Sequence, residues 1–201
     1  MTLDELLSHP CAWFVDHDSE EIAISSRIRL ARNVKNFPFP NRAKPAQRAD
    51  VQDYLLEALR KQPAFTEGWT ARNEEIPDQD RMLLFERSLI SREHAESERG
   101  SAVGVSRDEQ DVVMINEEDH LRLQVVRSGL SLDEAWEEMV SLDEALEQEV
   151  DYAFSETLGY LTCCPSNTGT GIRAGVMMHL PGLALMGVLG LAGWIGWQYE
   201  D

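Results

Sequence analysis

Cys164-Pro165-Ser166-Asn167-Thr168-Gly169-Thr170-Gly171-Ile172-Arg173 gathers a thiol, a helix-breaking proline, three hydroxyl residues, two glycines and an arginine into ten positions. Pro165 has no backbone N–H to donate, and Gly169 and Gly171 accept backbone angles that other residues avoid. The composition predicts a turn whose N–H groups point outward together, as in an anion-binding nest. Arg173 adds a forked, permanently charged donor suited to phosphate. Beyond it, Gly175–His179 reads as a buried strand.

Upstream, Ile22, Ile24, Ile28 and Leu30 alternate with polar neighbours. A period of two predicts a strand over 22–30 with Arg27 and Arg29 on one face. Residues 103–106 and 112–115 predict a hairpin about Arg107-Asp108-Glu109-Gln110. The acidic run Asn116-Glu117-Glu118-Asp119 follows at the strand's end. His120, Arg122 and Gln124 then alternate with Leu121, Leu123 and Val125, a further strand with His120 and Arg122 on its polar side. These connections are too short for crossover helices, so the sheet is antiparallel. The fold class is α/β (α+β), an antiparallel sheet flanked by helices.

Helices are expected over 1–10, with Thr2 as cap and Pro10 as stop, and over 45–62, where Val51, Leu55, Leu56 and Leu59 repeat at helical spacing. Residues 81–90 fit a strand or a buried helical turn, and 91–100 a short acidic helix or loop. Ser131-Leu-Asp-Glu and Ser141-Leu-Asp-Glu both match a capping box, which predicts two consecutive helical starts, the longer helix running over 141–157.

Three stretches in order carry a resemblance: SSRIRLARN at 25–33, NEEDHLR at 116–122 and CPSNTGTGIRAGVMMHLP at 164–181. Together they resemble the ATP:guanido phosphotransferases, the superfamily of creatine kinase and arginine kinase, over about residues 11–183. RLARNVKNFPFP, LISREHAE and the lack of a long helical domain before the first motif resemble the bacterial protein-arginine kinases most. The resemblance implies a guanido kinase (glutamine synthetase-like) catalytic domain that uses ATP and Mg²⁺ to phosphorylate the guanidino group of arginine residues in proteins. It makes Arg27, Arg29, Arg122 and Arg173 ligands of the nucleotide phosphates, with Ser26 and Asn167 beside them. Glu118 is then the base, Glu117 its neighbour or a partner of a Mg²⁺-bound water, and Cys164 the family's reactive cysteine. No residue is expected to ligate a metal directly.

After Leu183 the family continues with a further Arg and a Gly-rich loop, and protein-arginine kinases carry a C-terminal domain. Here the chain reads ALMGVLGLAGWIGWQYED. Residues 1–183 are therefore expected to be the N-terminal portion of the catalytic domain. Residues 184–201 are expected to be an aberrant Gly-rich tail, as a frameshift would give. Leu180–Trp197 carries no charge, but Pro181 and five glycines make it a poor membrane span. The alternatives are a non-catalytic nucleotide-binding fragment, a free-guanidino phosphagen kinase and a membrane-tethered fragment.

The chain of 201 residues carries 36 acidic and 18 basic side chains, a net charge of −18. Such a surface repels nucleic acid and anionic membranes. Three cysteines, without zinc-like spacing and with no cleavable leader before them, point to the reduced cytoplasm. Expected partners are ATP and arginine-bearing proteins; a homodimer or an activator protein is left open.

Overall fold

The computed structural model describes residues 3–8, 10, 22–97 and 99–186. Thr2, Cys11 and most of the tail, 187–201, lie outside the described residues. Among the described residues no helix is long and apolar enough to cross a membrane.

After α1 (Leu3–Ser8), β1 (Ala23–Arg32) runs through the middle of the site-bearing half of the sheet. Then come α2 (Pro45–Arg60), α3 (Pro63–Thr66), β2 (Trp69–Arg72), α4 (Asp78–Glu86), α5 (Arg92–Glu96), β3 (Ala102–Val105), β4 (Asp111–Ile115) and β5 (Leu121–Ser128). α6 (Leu132–Glu147), the small pair β6 (Phe154–Ser155) and β7 (Gly159–Tyr160), β8 (Ile172–Met178) and α7 (Pro181–Leu185) complete the order. The six-stranded sheet has the order β2-β3-β4-β5-β1-β8, with every neighbouring pair antiparallel, as the short connections require.

The two faces of this sheet are unlike. One is covered along most of its width by α2 and α6: Leu30, Leu123, Val125 and Val113 meet Leu55, Leu59, Met139 and Leu146 in one cluster. Gly104 on β3 lets α2 come close, since a Cβ there would stand 2.5 Å from Leu59 Cδ2. On the other face α4 and α5 cover only the β2-β3-β4 end, where Val103, Val105, Val112 and Met114 pack with Leu84, Leu89 and Ala95. The β5-β1-β8 end of that face is left for charged side chains.

Two expectations are corrected and one alternative is resolved. Residues 81–90 take the helical alternative, the end of helix α4 and a turn: Pro77 starts the helix, and Ser88, at φ 61°, turns the chain into Leu89 and Ile90. The two capping boxes open one helix, not two, and it stops at Glu147 rather than 157. Ser141 sits inside α6 and donates back to the Glu137 carbonyl, while Ser131 Oγ bonds the Ser128 carbonyl. The strand expected to be buried at 175–179 is instead an exposed edge. β8 pairs with β1 alone, so its outer edge is open and Ile172, Met177 and Met178 stand in solvent among the described residues.

Candidate active site

The alternation of β1 places Arg27, Arg29 and Ala31 on the uncovered face and Ile28, Leu30 and Arg32 on the covered one. Register does the rest. Arg29 lies opposite Arg173 of β8, and Ala31 opposite Arg122 of β5. Four arginines from three distant segments thus converge. Their mutual repulsion is visible: the Arg29 guanidinium is pushed down to about 10 by burial and by Arg27, Arg122 and Arg173, with Glu117 opposing. Arg27 is lowered by burial and by Arg122. A site that crowds cations this way is arranged for an anion.

Facing them is the acidic segment between β4 and β5. Glu117 is nearly buried and committed: it accepts twice from Arg122 Nη1, at 2.7 and 2.9 Å, and once from Ser91 Oγ at 2.7 Å. Burial alone would raise its pKa, but Arg122 and these hydrogen bonds hold it below the usual carboxylate range. Its role is to aim Arg122. Glu118 is the opposite case, exposed and without an ion pair among the described residues. The two carboxylates join Arg29, Arg122, Arg173, Asn167, Asp119 and Gly171 around one cleft. A second opening lined by Glu93, Glu117, Glu118 and Arg122 adjoins it. Arg27 lines a third recess with Ser25, Ser88, Val126, Gly175, Val176 and Met177.

Much of the Gly-rich segment's N–H surface is turned inward rather than open as a nest. The N–H groups of Asn167, Thr168 and Gly169 donate to the Cys164, Pro165 and Tyr160 carbonyls, and that of Ile172 to Thr170 Oγ1. What it offers the cleft is side chains, Arg173 and Asn167, joined by a 3.1 Å bond from Nε to Oδ1. Gly171, at φ 68°, is required: a Cβ there would stand 2.6 Å from the Ala31 carbonyl and 2.8 Å from Arg32 Nη1. Cys164 is half-buried at the start of this loop, its Sγ 2.9 Å from Ser166 Oγ, and it is not among the side chains lining the cleft. Cys163 has its thiol pushed up to about 12 by burial and by Asp119. Ser26 is placed away from the cleft: it is fully buried, donates to the Gly129 carbonyl and accepts the Ser131 N–H, which ties β1 to the turn between β5 and α6.

Sequence reasoning missed Arg32, Asn33, Ser91 and Asp119. Arg32 carries the one available signal, because its parity on β1 sets it against Arg27 and Arg29. It points into the covered side, where it forks onto Asp143 at 2.7 Å, donates to the Thr170 carbonyl and stacks 3.6 Å from the Tyr160 ring centroid. His120 is not on the polar face of a strand either. It is buried before β5, its Nδ1 accepting the Val34 N–H and its Nε2 donating to the Pro38 carbonyl, between the Phe37 and Phe39 rings.

Two buried imidazoles give the stability a pH dependence. Burial pushes both His94 and His120 from 6.5 to about 4. Unfolding restores 6.5, so the unfolded chain binds more protons between those values and stability falls as pH falls through that window. Asp111 opposes this: burial, with Asp108, raises it from 3.8 to about 6, so its folded form gains stability as pH drops below 6. Two imidazoles against one carboxyl leave a net uptake of about one proton, a slope of about 1.4 kcal/mol per pH unit. Thermal melts from pH 7 down to 4.5 are expected to show a falling Tm; a flat or rising profile would contradict this.

Known proteins resemble this chain in sequence and in fold. Residues 50–191 match the family described as ATP:guanido phosphotransferase, C-terminal catalytic domain. The chain is 43% identical over 187 residues to a protein-arginine kinase of Halothermothrix orenii, covering 92% of this chain and 53% of that protein. It is 46% identical over 173 residues to a protein-arginine kinase of Symbiobacterium thermophilum, covering 82% and 48%. The substrate-free duplicated taurocyamine kinase from Schistosoma mansoni superposes with a TM-score of 0.73 at 25% identity, over 92% of this chain and 27% of that one. The chain thus spans about half the length of the curated relatives it matches. A matched profile over most of its length, these identities and an antiparallel sheet shared with a guanidino kinase make the chain a member of the ATP:guanido phosphotransferase family.

Proposed function

We propose that the cleft binds the phosphates of ATP and directs phosphoryl transfer to the guanidino group of arginine side chains in proteins. The observation that carries this reading is the pairing of four converging arginines with one uncommitted carboxylate, Glu118. Phosphoryl transfer asks a protein mainly for position and charge stabilisation. Arg29, Arg122 and Arg173 supply the positive wall, and Glu117 fixes the middle one of these. The recess beside Arg27 is mostly apolar, and Gly175 leaves room there, with nothing within 4 Å of where its Cβ would be. It suits the nucleoside end of the same ligand.

A guanidinium is a poor nucleophile while protonated, so attack needs a base at hydrogen-bond range. Glu118 can clamp the guanidinium and take its proton. The adjoining opening is lined by Glu93, Glu117, Glu118 and Arg122; with Glu117 paired to Arg122, Glu93 and Glu118 leave it net negative, which favours a cationic side chain entering from solvent. Among the described residues no group of His, Cys, Asp or Glu side chains is disposed to hold a metal. Mg²⁺ belongs to this account only as the ion carried by the nucleotide, where it neutralises phosphate charge.

A second reading is a nucleotide-binding member of the family without turnover. Calorimetric titration with ATP tests what both readings share. Saturable binding is expected, weakened at least about tenfold by Arg29→Ala, a charged hydrogen bond in a crowded cleft being worth about 1.5–3 kcal/mol. No binding, or binding indifferent to Arg29, would overturn both.

A further inference from the structure

Asn33 follows directly on β1 and is 1% exposed. Its side-chain bonds all reach segments far along the chain. Nδ2 donates to Asp119 Oδ1 at 2.5 Å and to the Leu161 carbonyl at 3.1 Å, and Oδ1 accepts the His120 N–H at 2.9 Å. Asp119, 2% exposed, uses the same Oδ1 to accept the Cys163 N–H at 2.7 Å. One amide and one carboxylate therefore stitch the end of β1 to the acidic segment and to the chain entering the Gly-rich loop. Glu118 is the residue before Asp119, and Cys164 the residue after Cys163. Asn33 itself does not line the cleft.

We propose that Asn33 is a positioning residue of this site: its side-chain amide sets the acidic segment 117–119 against the loop that begins at Cys164. The catalytic consequence rests on the phosphotransferase reading; the mechanical one does not. Only an amide meets the demand here, because two donors and an acceptor are needed in one plane. A carboxylate at the same place would face Asp119 across a hydrogen-bond distance, and their repulsion would raise the pair's titration, so that both are ionised only toward high pH. Protonation of one of them would restore a donor.

That chemistry gives a test with a readout independent of turnover. With Cys11 and Cys163 changed to Ser, Cys164 is the only thiol. Its rate of reaction with a disulfide reagent is followed against pH in the otherwise unchanged chain, in Asn33→Asp, and in the swapped pair Asn33→Asp with Asp119→Asn. Asn33→Asp is expected to speed the reaction at least tenfold at pH 8, after correction for the thiolate fraction. Lowering the pH to 6 is expected to return it toward the parent rate. The swap puts a donor back between the two side chains but leaves the Leu161 carbonyl and the Cys163 N–H without these partners, so it is expected to recover only part of the parent behaviour.

Parent-like rates at every pH in folded Asn33→Asp would overturn the proposal. If Asn33→Asp fails to fold, a swap that folds and reacts faster than the parent supports it, and a folded swap at the parent rate overturns it. Failure of both assigns Asn33 to stability alone and overturns it. Absence of phosphorylation in the parent would sink the phosphotransferase reading and leave these thiol rates decisive for Asn33.

Discussion

Arg32→Ala is expected to lower folding stability by about 3–5 kcal/mol, because it leaves a buried partner charge unpaired. The Arg32 and Asp143 side chains are only 4% and 13% exposed, and their fork joins β1 to α6 across the covered face. The same guanidinium donates to the Thr170 carbonyl and packs on Tyr160, so its loss also loosens the Gly-rich loop. Single domains are stable by about 5–15 kcal/mol, so this one change takes a large fraction of the total. Urea unfolding should show the midpoint falling with little change in slope. Replacing both partners by apolar residues of similar volume should recover much of the loss, since a buried ion pair contributes little net stability of its own. A loss below 1 kcal/mol for Arg32→Ala would show that the pair is solvated in solution.

Glu118→Gln has the largest expected effect on chemistry. The amide keeps the shape and can still hydrogen-bond a substrate, but it cannot take a proton. General-base assistance is worth about 10²–10⁴-fold, and phosphorylation should fall by that much. ATP affinity should hold or improve, because the change removes a negative charge beside the arginines and leaves the Glu117–Arg122 clamp untouched. A parallel loss of ATP affinity would instead make Glu118 part of the phosphate site's architecture. Turnover indifferent to the change would move the base elsewhere, with Glu93 in the adjoining opening the next carboxylate in place.

How much of this was legible in the sequence depends on the range of the interaction concerned. β1 and the hairpin about residues 107–110 are local patterns, and both are found where alternation and turn residues predict them. The facing of Arg27, Arg29, Arg122 and Arg173 followed from the motifs, and strand register now explains it. The repeated Ser-Leu-Asp-Glu misled because a capping box is a local motif, whereas the continuity of α6 is decided by Met139, Leu142 and Leu146 packing on the sheet. The exposure of β8 was illegible for a related reason: an apolar run looks the same at an edge and in a core. The burial of Ser26 and the ties made by Asn33 depend on partners up to 128 residues away, where no local spacing could reveal them. Arg32 is the instructive case, since the alternation that grouped Arg27 with Arg29 also excluded Arg32.

The most direct measurement is acid-labile transfer of the terminal phosphoryl from labelled ATP to an arginine-rich protein, run beside free arginine and beside Glu118→Gln. The account predicts phosphoarginine in the protein acceptor, little in free arginine, and near-complete loss in the variant. Nucleotide binding with no transfer to either acceptor would contradict the catalytic reading and leave a nucleotide-binding member of the family. Transfer to free arginine in preference to protein would contradict the assigned substrate.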